Sequence, residues 1–178
     1  MDVQICLKKE KLFIASDVIY SSDSTAGETC LQICRTYGFD PALPERGENP
    51  GQAESAYQKT LKRIENCDII TADMNGFRGY EPDGGICFMV GLGYALGKRL
   101  YLYVDDEKGP TGHYPYTSLD ENGVIIDKDG IFVSQLDQPV NLMLGCSSKV
   151  VIGDFENCIR TIASERDTAY QKSAGEEK

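Results

Sequence analysis

The 178-residue chain contains no tryptophan and one histidine, His113. A lone imidazole in the polar stretch GPTGHYPY, without an identifiable serine or cysteine partner, leaves a catalytic triad unsupported. No run of about 18 apolar residues occurs, which argues against a membrane-crossing helix. The apolar stretch in MDVQICLKKEK is too short for a secretory signal. Basic charge is scarce, with 18 Lys and Arg against 28 Asp and Glu and a net charge of −10. Such a surface repels phosphate backbones and anionic lipids, so it disfavours nucleic-acid and membrane partners and favours a small neutral or weakly charged ligand. CxxC spacing is absent as well. The seven cysteines, Cys6, Cys30, Cys34, Cys67, Cys87, Cys146 and Cys158, are odd in number and mostly sit in apolar runs. They read as reduced thiols packed like small hydrophobes in a cytoplasmic protein. Cys30 and Cys34 can share a helix face, but with no His or further Cys beside them no metal site is assigned.

A chain of this length can bury roughly two thirds of its unfolded surface in one core. Residues 1–164 are expected to form one domain, and the polar end ERDTAYQKSAGEEK, residues 165–178, a frayed or disordered tail. KLFIAS, residues 11–16, reads as a buried first strand. Ser24 or Thr25 then caps a helix carrying Cys30, Leu31, Cys34 and Tyr37 at helical spacing, which Gly38 ends. Residues 39–43 are a short strand candidate interrupted by proline, followed by the loop ERGENPGQ. Tyr57, Leu61 and Ile64 mark an amphipathic helix over residues 53–66, and DIITAD, residues 68–73, is the strongest strand. A helix over residues 85–97 and the strand RLYLYV, residues 99–104, form the next unit. Residues 105–138 are polar and rich in Asp, Gly and Pro, which suggests hairpins or loops. PVNLML is a short apolar helix or turn, residues 149–152 a last strand, and Asp154 a cap for a terminal helix with Phe155, Cys158, Ile159 and Ile162 on one face.

Strands separated by helices imply a doubly wound α/β fold: a mostly parallel five-stranded, flavodoxin- or Rossmann-like sheet with helices on both faces. Ligands of such sheets lie outside the carboxyl ends of the strands, where Ser16 and Asp73 fall. Asp73 ends an otherwise apolar strand. Its carboxylate either projects into that crevice or braces the Met74-Asn75-Gly76 turn. Asp83, just before a Gly-Gly helix entry, is likewise a site carboxylate or an N-cap. Two carboxylates at one mouth suit base recognition and proton transfer to a leaving nucleobase. The run Gly91-Leu92-Gly93 is not a dinucleotide fingerprint, because it lies within a helix; close helix packing explains its glycines better.

Residues 68–97, DIITADMNGFRGYEPDGGICFMVGLGYALG, resemble the core signature of the nucleoside 2-deoxyribosyltransferases, in which a strand ends in Asp, a loop reads F-R-G then P-D-x-G-T, and the next helix carries F-E-x-G. Here the frame reads Phe77-Arg78-Gly79, Pro82-Asp83-Gly84-Gly85-Ile86 and Phe88-Met89-Val90-Gly91. QPVNLML is similar to the segment by which these enzymes reach into a neighbouring subunit's site. The resemblance covers residues 12 to about 163. It implies the fold above, no cofactor, oligomeric assembly, a nucleoside or deoxynucleotide ligand, and double-displacement exchange of a 2-deoxyribosyl group between bases, as in nucleotide salvage. It places Asp73 and Asp83 at the base and sugar, Phe13, Ser16, Phe77, Gly79 and Ile86 against the substrate, and Asn141 across the subunit interface.

The chain departs from that pattern where the chemistry is concentrated. Met89 stands at the position of the nucleophilic glutamate, and a thioether can neither carry the charge nor form a glycosyl ester. Phe13 replaces a tyrosine, Ser16-Asp17 a Gly-Pro turn, and Ile86 a threonine. Glu81 and Asp83 are close in sequence, but neither lies on the helix turn that aims the usual nucleophile. Two readings follow. One is an enzyme cleaving the N-glycosidic bond with Asp73 and Asp83 and another nucleophile or an activated water. The other is a catalytically silent nucleoside-binding or regulatory protein.

Overall fold

A computed structural model describes residues 9–47, 49–108, 114, 116–134 and 137–176; His113 and Cys6 lie outside them. Strand β1 (Lys11–Ala15) leads through a 3-10 turn (Asp17–Tyr20) to α1 (Ala26–Thr36), then β2 (Asp40–Ala42), α2 (Ala53–Glu65), β3 (Ile69–Asp73), α3 (Gly84–Ala95) and β4 (Arg99–Val104). The polar stretch that follows contains an antiparallel hairpin, β5 (Thr117–Leu119) and β6 (Ile125–Asp127). After it come a short helix α4 (Leu142–Gly145), β7 (Lys149–Ile152) and α5 (Phe155–Glu176). The main sheet has five strands in the order β2-β1-β3-β4-β7, each adjacent pair parallel.

Strand alternation divides the core in two. Phe13, Ala15, Ile70, Ala72, Leu100 and Leu102 point to the face covered by α2 and α3, where Ile64, Ile86, Met89 and Val90 meet them. Leu12, Ile14, Ile69, Tyr101 and Tyr103 point to the opposite face, covered by Cys34 of α1 and Cys158, Ile159 and Ile162 of α5. Burial on both faces is why β1, β3 and β4 read as continuous apolar runs. The proline of the second strand is tolerated because Pro41 sits on the sheet edge, paired on one side to Leu12.

Helix ends follow the sequence in part. Gly38 takes φ 85° after α1, and Asp154 Oδ1 accepts the Asn157 N–H at 2.8 Å to cap α5. Thr25 occupies the N-cap of α1, but its hydroxyl donates to Asp23 Oδ1 at 2.7 Å and caps no helix N–H. Of the two close helical glycines, Gly93 is the one that packing requires, since a Cβ there would lie 2.4 Å from Ile70 Cδ1; Gly91 faces open space.

The terminal helix also runs on to Glu176, through the segment expected to be a frayed tail. Its anchor lies at that segment's start: Tyr101 OH donates to Glu165 Oε2 at 2.8 Å, Lys149 pairs with Glu165, and Arg166 donates to the Tyr37 carbonyl while covering the Phe39 ring. From that anchor the run DTAYQKSAGE, which holds no proline, continues the helix, with Ala169, Gln171, Lys172 and Ala174 as its good helix formers. No helix among the described residues is long and apolar enough to cross a membrane. All six cysteines among them are free thiols; burial pushes Cys34 up to about 12 and Cys67 and Cys158 to about 11, while Cys146 is exposed.

Candidate functional site

From β1 the chain steps outward to β2 on one side and inward to β3, β4 and β7 on the other, so the switch in strand order lies between β1 and β3. Ala15 of β1 pairs with Ala72 of β3, and Asp73 with Tyr103 of β4. Ser16 and Asp17 therefore leave β1 beside Asp73. Asp73 Oδ1 accepts the Asn75 N–H at 3.0 Å and its Nδ2 at 2.9 Å, and Oδ2 accepts the Tyr103 hydroxyl at 3.0 Å. Asn75 Oδ1 in turn accepts the Asp105 N–H at 2.9 Å, which ties the exits of β3 and β4 together. Asp83 Oδ1 accepts the Gly85 and Ile86 N–H groups at 2.9 and 3.1 Å, and its other oxygen takes no part in that cap. Asp73 is thus a turn brace and Asp83 an N-cap, and both still stand where the strand ends open.

Electrostatics join these groups to a residue that sequence reasoning left aside. Burial, then the Asp73 and Asp83 carboxylates, raise the Asp17 carboxyl above its ordinary value against the lowering effect of Ser16. Burial and Asp73 also raise Cys30, reaching in from α1, and push the Tyr103 phenol far above its usual range. Asp17, Asp73 and Asp83 therefore share one patch, with Ser16, Cys30 and Tyr103 around it. Ser16 is buried, and its Oγ accepts the Val18 N–H at 3.3 Å. The signal available in the sequence was positional: Asp17 is a carboxylate just past a buried strand, at the ligand-binding end of the sheet.

The loop after Asp73 is closed on itself. Phe77 N–H donates to the Glu81 carbonyl at 2.9 Å, and Gly76 has no room for a side chain, because a Cβ would lie 2.5 Å from the Gly79 carbonyl oxygen. Arg78 adopts φ 53°, in the left-handed region that L residues rarely take. Its guanidinium covers the Phe77 ring at 4.9 Å, and that ring packs on Tyr20 with centroids 5.4 Å apart. Gly79 lines a cleft of about 410 Å³ with Asn75, Gly76, Tyr80 and Val104.

The three remaining departures converge elsewhere. Phe13, Ile86 and Met89 belong to one apolar cluster with Ala72, Met74, Val90 and Val140; Phe13 is fully buried, Ile86 nearly so, and Met89 is 9% exposed. All three side chains are therefore part of the core beneath α3. Asn141 Oδ1 accepts the Met143 N–H at 2.9 Å, capping α4, and the residue lines a cavity of about 180 Å³ with Glu81, Tyr114 and Phe132 but none of Asp17, Asp73 and Asp83. That volume is below the roughly 300–1,000 Å³ of most ligand cavities, so this cavity alone does not enclose a nucleoside.

The outer side of α3 is apolar too. Phe88 is 54% exposed and Tyr94 64%, and Tyr94 borders a groove of about 390 Å³ with Cys87, Leu142, Met143 (72%) and Leu144. Among the described residues no group of three or more His, Cys, Asp and Glu is arranged to hold a metal.

The nucleoside 2-deoxyribosyltransferase family profile matches residues 12–143. Among solved structures, a 2-desoxiribosyltransferase from Leishmania mexicana is 25% identical with a TM-score of 0.72, the match covering 87% of this chain and 97% of that one. A conserved protein from Enterococcus faecalis (16% identity, TM-score 0.57, 89% and 99% covered) shares the fold. So does a 2-deoxyribosyltransferase from Bacillus psychrosaccharolyticus (18%, 0.52, 83% and 88%). No curated protein sequence matches.

Proposed function

Since the chain belongs to the nucleoside 2-deoxyribosyltransferase family, we propose that it binds a nucleoside or deoxynucleotide at the carboxyl edge of its sheet but does not exchange bases through a covalent deoxyribosyl intermediate. The observation that carries this reading is the joint burial of Phe13, Ile86 and Met89. Double displacement needs a carboxylate that attacks the anomeric carbon and holds the sugar until a second base arrives. A thioether packed among Val90, Val140 and Met74 offers neither charge nor a bond of that kind. What remains is suited to binding: Asp73 and Asp83 fixed by backbone and phenol donors, the Phe77 ring, and the close backbone of Gly79. This favours the non-transferring reading over the family's exchange reaction.

Oligomeric assembly fits the same geometry. Helix α3, GGICFMVGLGYA, has no charged side chain, and a helix apolar all round is ordinarily covered on all sides. A second copy laid on α3 and α4 would cover Phe88, Tyr94 and Met143 and carry Asn141 toward a neighbouring site.

The test has two arms. Base exchange between a deoxynucleoside and a second free base should stay at background. The four common 2-deoxynucleosides and their 5-phosphates should be screened for a ligand-dependent rise in Tm, which follows from mass action. Asp73→Ala should weaken that rise more than Asp154→Ala. Robust exchange would overturn the loss of transfer, and no shift with any ligand at millimolar concentration would overturn the pocket.

A further inference from the structure

Asp17 is the feature that the family's chemistry does not account for. It stands where the family pattern has a turn proline, in the same chain that has lost the nucleophile from α3. The place it occupies does not depend on the carboxylates themselves: the switch in strand order between β1 and β3 puts a ligand at this edge. The three carboxylates there are not equivalent. Asp73 accepts three hydrogen bonds through both oxygens, and Asp83 accepts two backbone N–H groups. Both groups therefore serve as acceptors pinned in place by their neighbours. Among the described residues Asp17 takes only its own backbone N–H and a long, 3.5 Å contact from the Ser16 hydroxyl. Its carboxyl is the one left able to keep a proton and hand it on.

We propose that Asp17 is the proton donor of this site, protonating the departing nucleobase of a bound 2-deoxynucleoside so that water cleaves the N-glycosidic bond without a covalent intermediate. The inference rests on the pocket reading above. As the C1′–N bond breaks, its electron pair stays on the base nitrogen, which takes the Asp17 proton. Water bonds to C1′ and gives its proton to the Asp83 carboxylate, and exchange through solvent carries that proton from Asp83 back to Asp17, which resets both groups. The sum is one deoxynucleoside and one water giving one free base and one deoxyribose. A 2-deoxyribosyl bond suits this route, because cleavage is oxocarbenium-like and base protonation supplies most of the drive. Without a covalently held sugar, a second base gains nothing.

The groups facing Asp17 set its pH behaviour. Asp73 from β3 and Asp83 at the start of α3 add to burial in raising its carboxyl, Ser16 opposes them, and Cys30 of α1 and Tyr103 of β4 lie behind Asp73 as neutral groups. The acid form therefore persists to higher pH than in an ordinary aspartate, and the rate falls as pH rises through that raised value.

The experiment incubates full-length protein with each of the four common 2-deoxynucleosides and follows free base, free deoxyribose and ligand-dependent Tm across pH 4–8 (about the span from ordinary Asp to neutrality). We expect base and deoxyribose in equal amounts from at least one substrate. Asp17→Asn should lower that rate on the order of 100-fold or more and abolish the falling limb of the pH profile while keeping the Tm rise, and Asp17→Glu should restore part of it. Two outcomes overturn the proposal and leave the pocket standing: an Asp17→Asn protein with unchanged rate and profile, or a Tm rise with no base released. Absence of any Tm rise removes the pocket and the proposal with it.

Discussion

On the reading proposed above, Met89 marks a site given over from chemistry to packing. Its neighbours Phe13 and Ile86 are apolar too, and neither carries a hydroxyl that could hydrate or orient a carboxylate. Met89→Glu on its own therefore places an ionisable group in an apolar cluster, at a cost of about 3 kcal/mol, or a Tm lower by roughly 6–12 °C for a chain of this size. Base exchange should not appear in this variant. The triple variant Met89→Glu, Phe13→Tyr, Ile86→Thr should regain part of the lost Tm and show exchange above background. Calorimetry of the single and triple variants beside the exchange assay checks both halves. A single variant as stable as the wild type would mean that Met89 is not packed as described.

At the scale of elements, α3 has two apolar faces and only one of them meets the sheet. The outer one, bordered by Phe88, Tyr94 and the α4 residues Leu142 and Met143, should hold two copies together. Light scattering at micromolar concentration should return at least a dimer, and Tyr94→Lys with Met143→Lys should return a monomer of unchanged circular dichroism. A monomeric wild type would sink the interface. Elements were also what the sequence made most legible. The strands β1, β3, β4 and β7 lie within a residue or so of their expected limits; for β1, β3 and β4 the reason is that a doubly buried parallel strand is written as an unbroken apolar run between polar turns. The end of α5 was illegible for the opposite reason. Past Arg166 its described side chains are exposed, so no periodicity marks it, and its anchors, Tyr101, Tyr37 and Phe39, are far away in sequence. The site divided along similar lines. The places of Asp73 at a strand end and Asp83 at a helix entry were legible because such places have positions in a pattern. The partnership of Asp17 with them was not, because it exists only once β1 and β3 are laid side by side.

Taken whole, the molecule carries its reduced thiols at graded depth. Cys34, Cys67 and Cys158 lie in the two core layers beneath different helices, whereas Cys146 is open to solvent. Because burial holds the three core thiols mostly protonated and out of reach, an alkylating reagent can meet them only when the covering helix lifts away. Pulse labelling read by mass spectrometry should modify Cys146 at once and the other three orders of magnitude more slowly. A nucleoside should slow Cys67, under the α2–α3 layer, and Cys158, on the inner side of α5, by the same factor if ligand binding tightens the whole sheet. Unequal slowing would reveal that the two layers breathe separately. The thiols that looked inert as chemistry are thus four clocks, set at known depths, for timing how this fold opens.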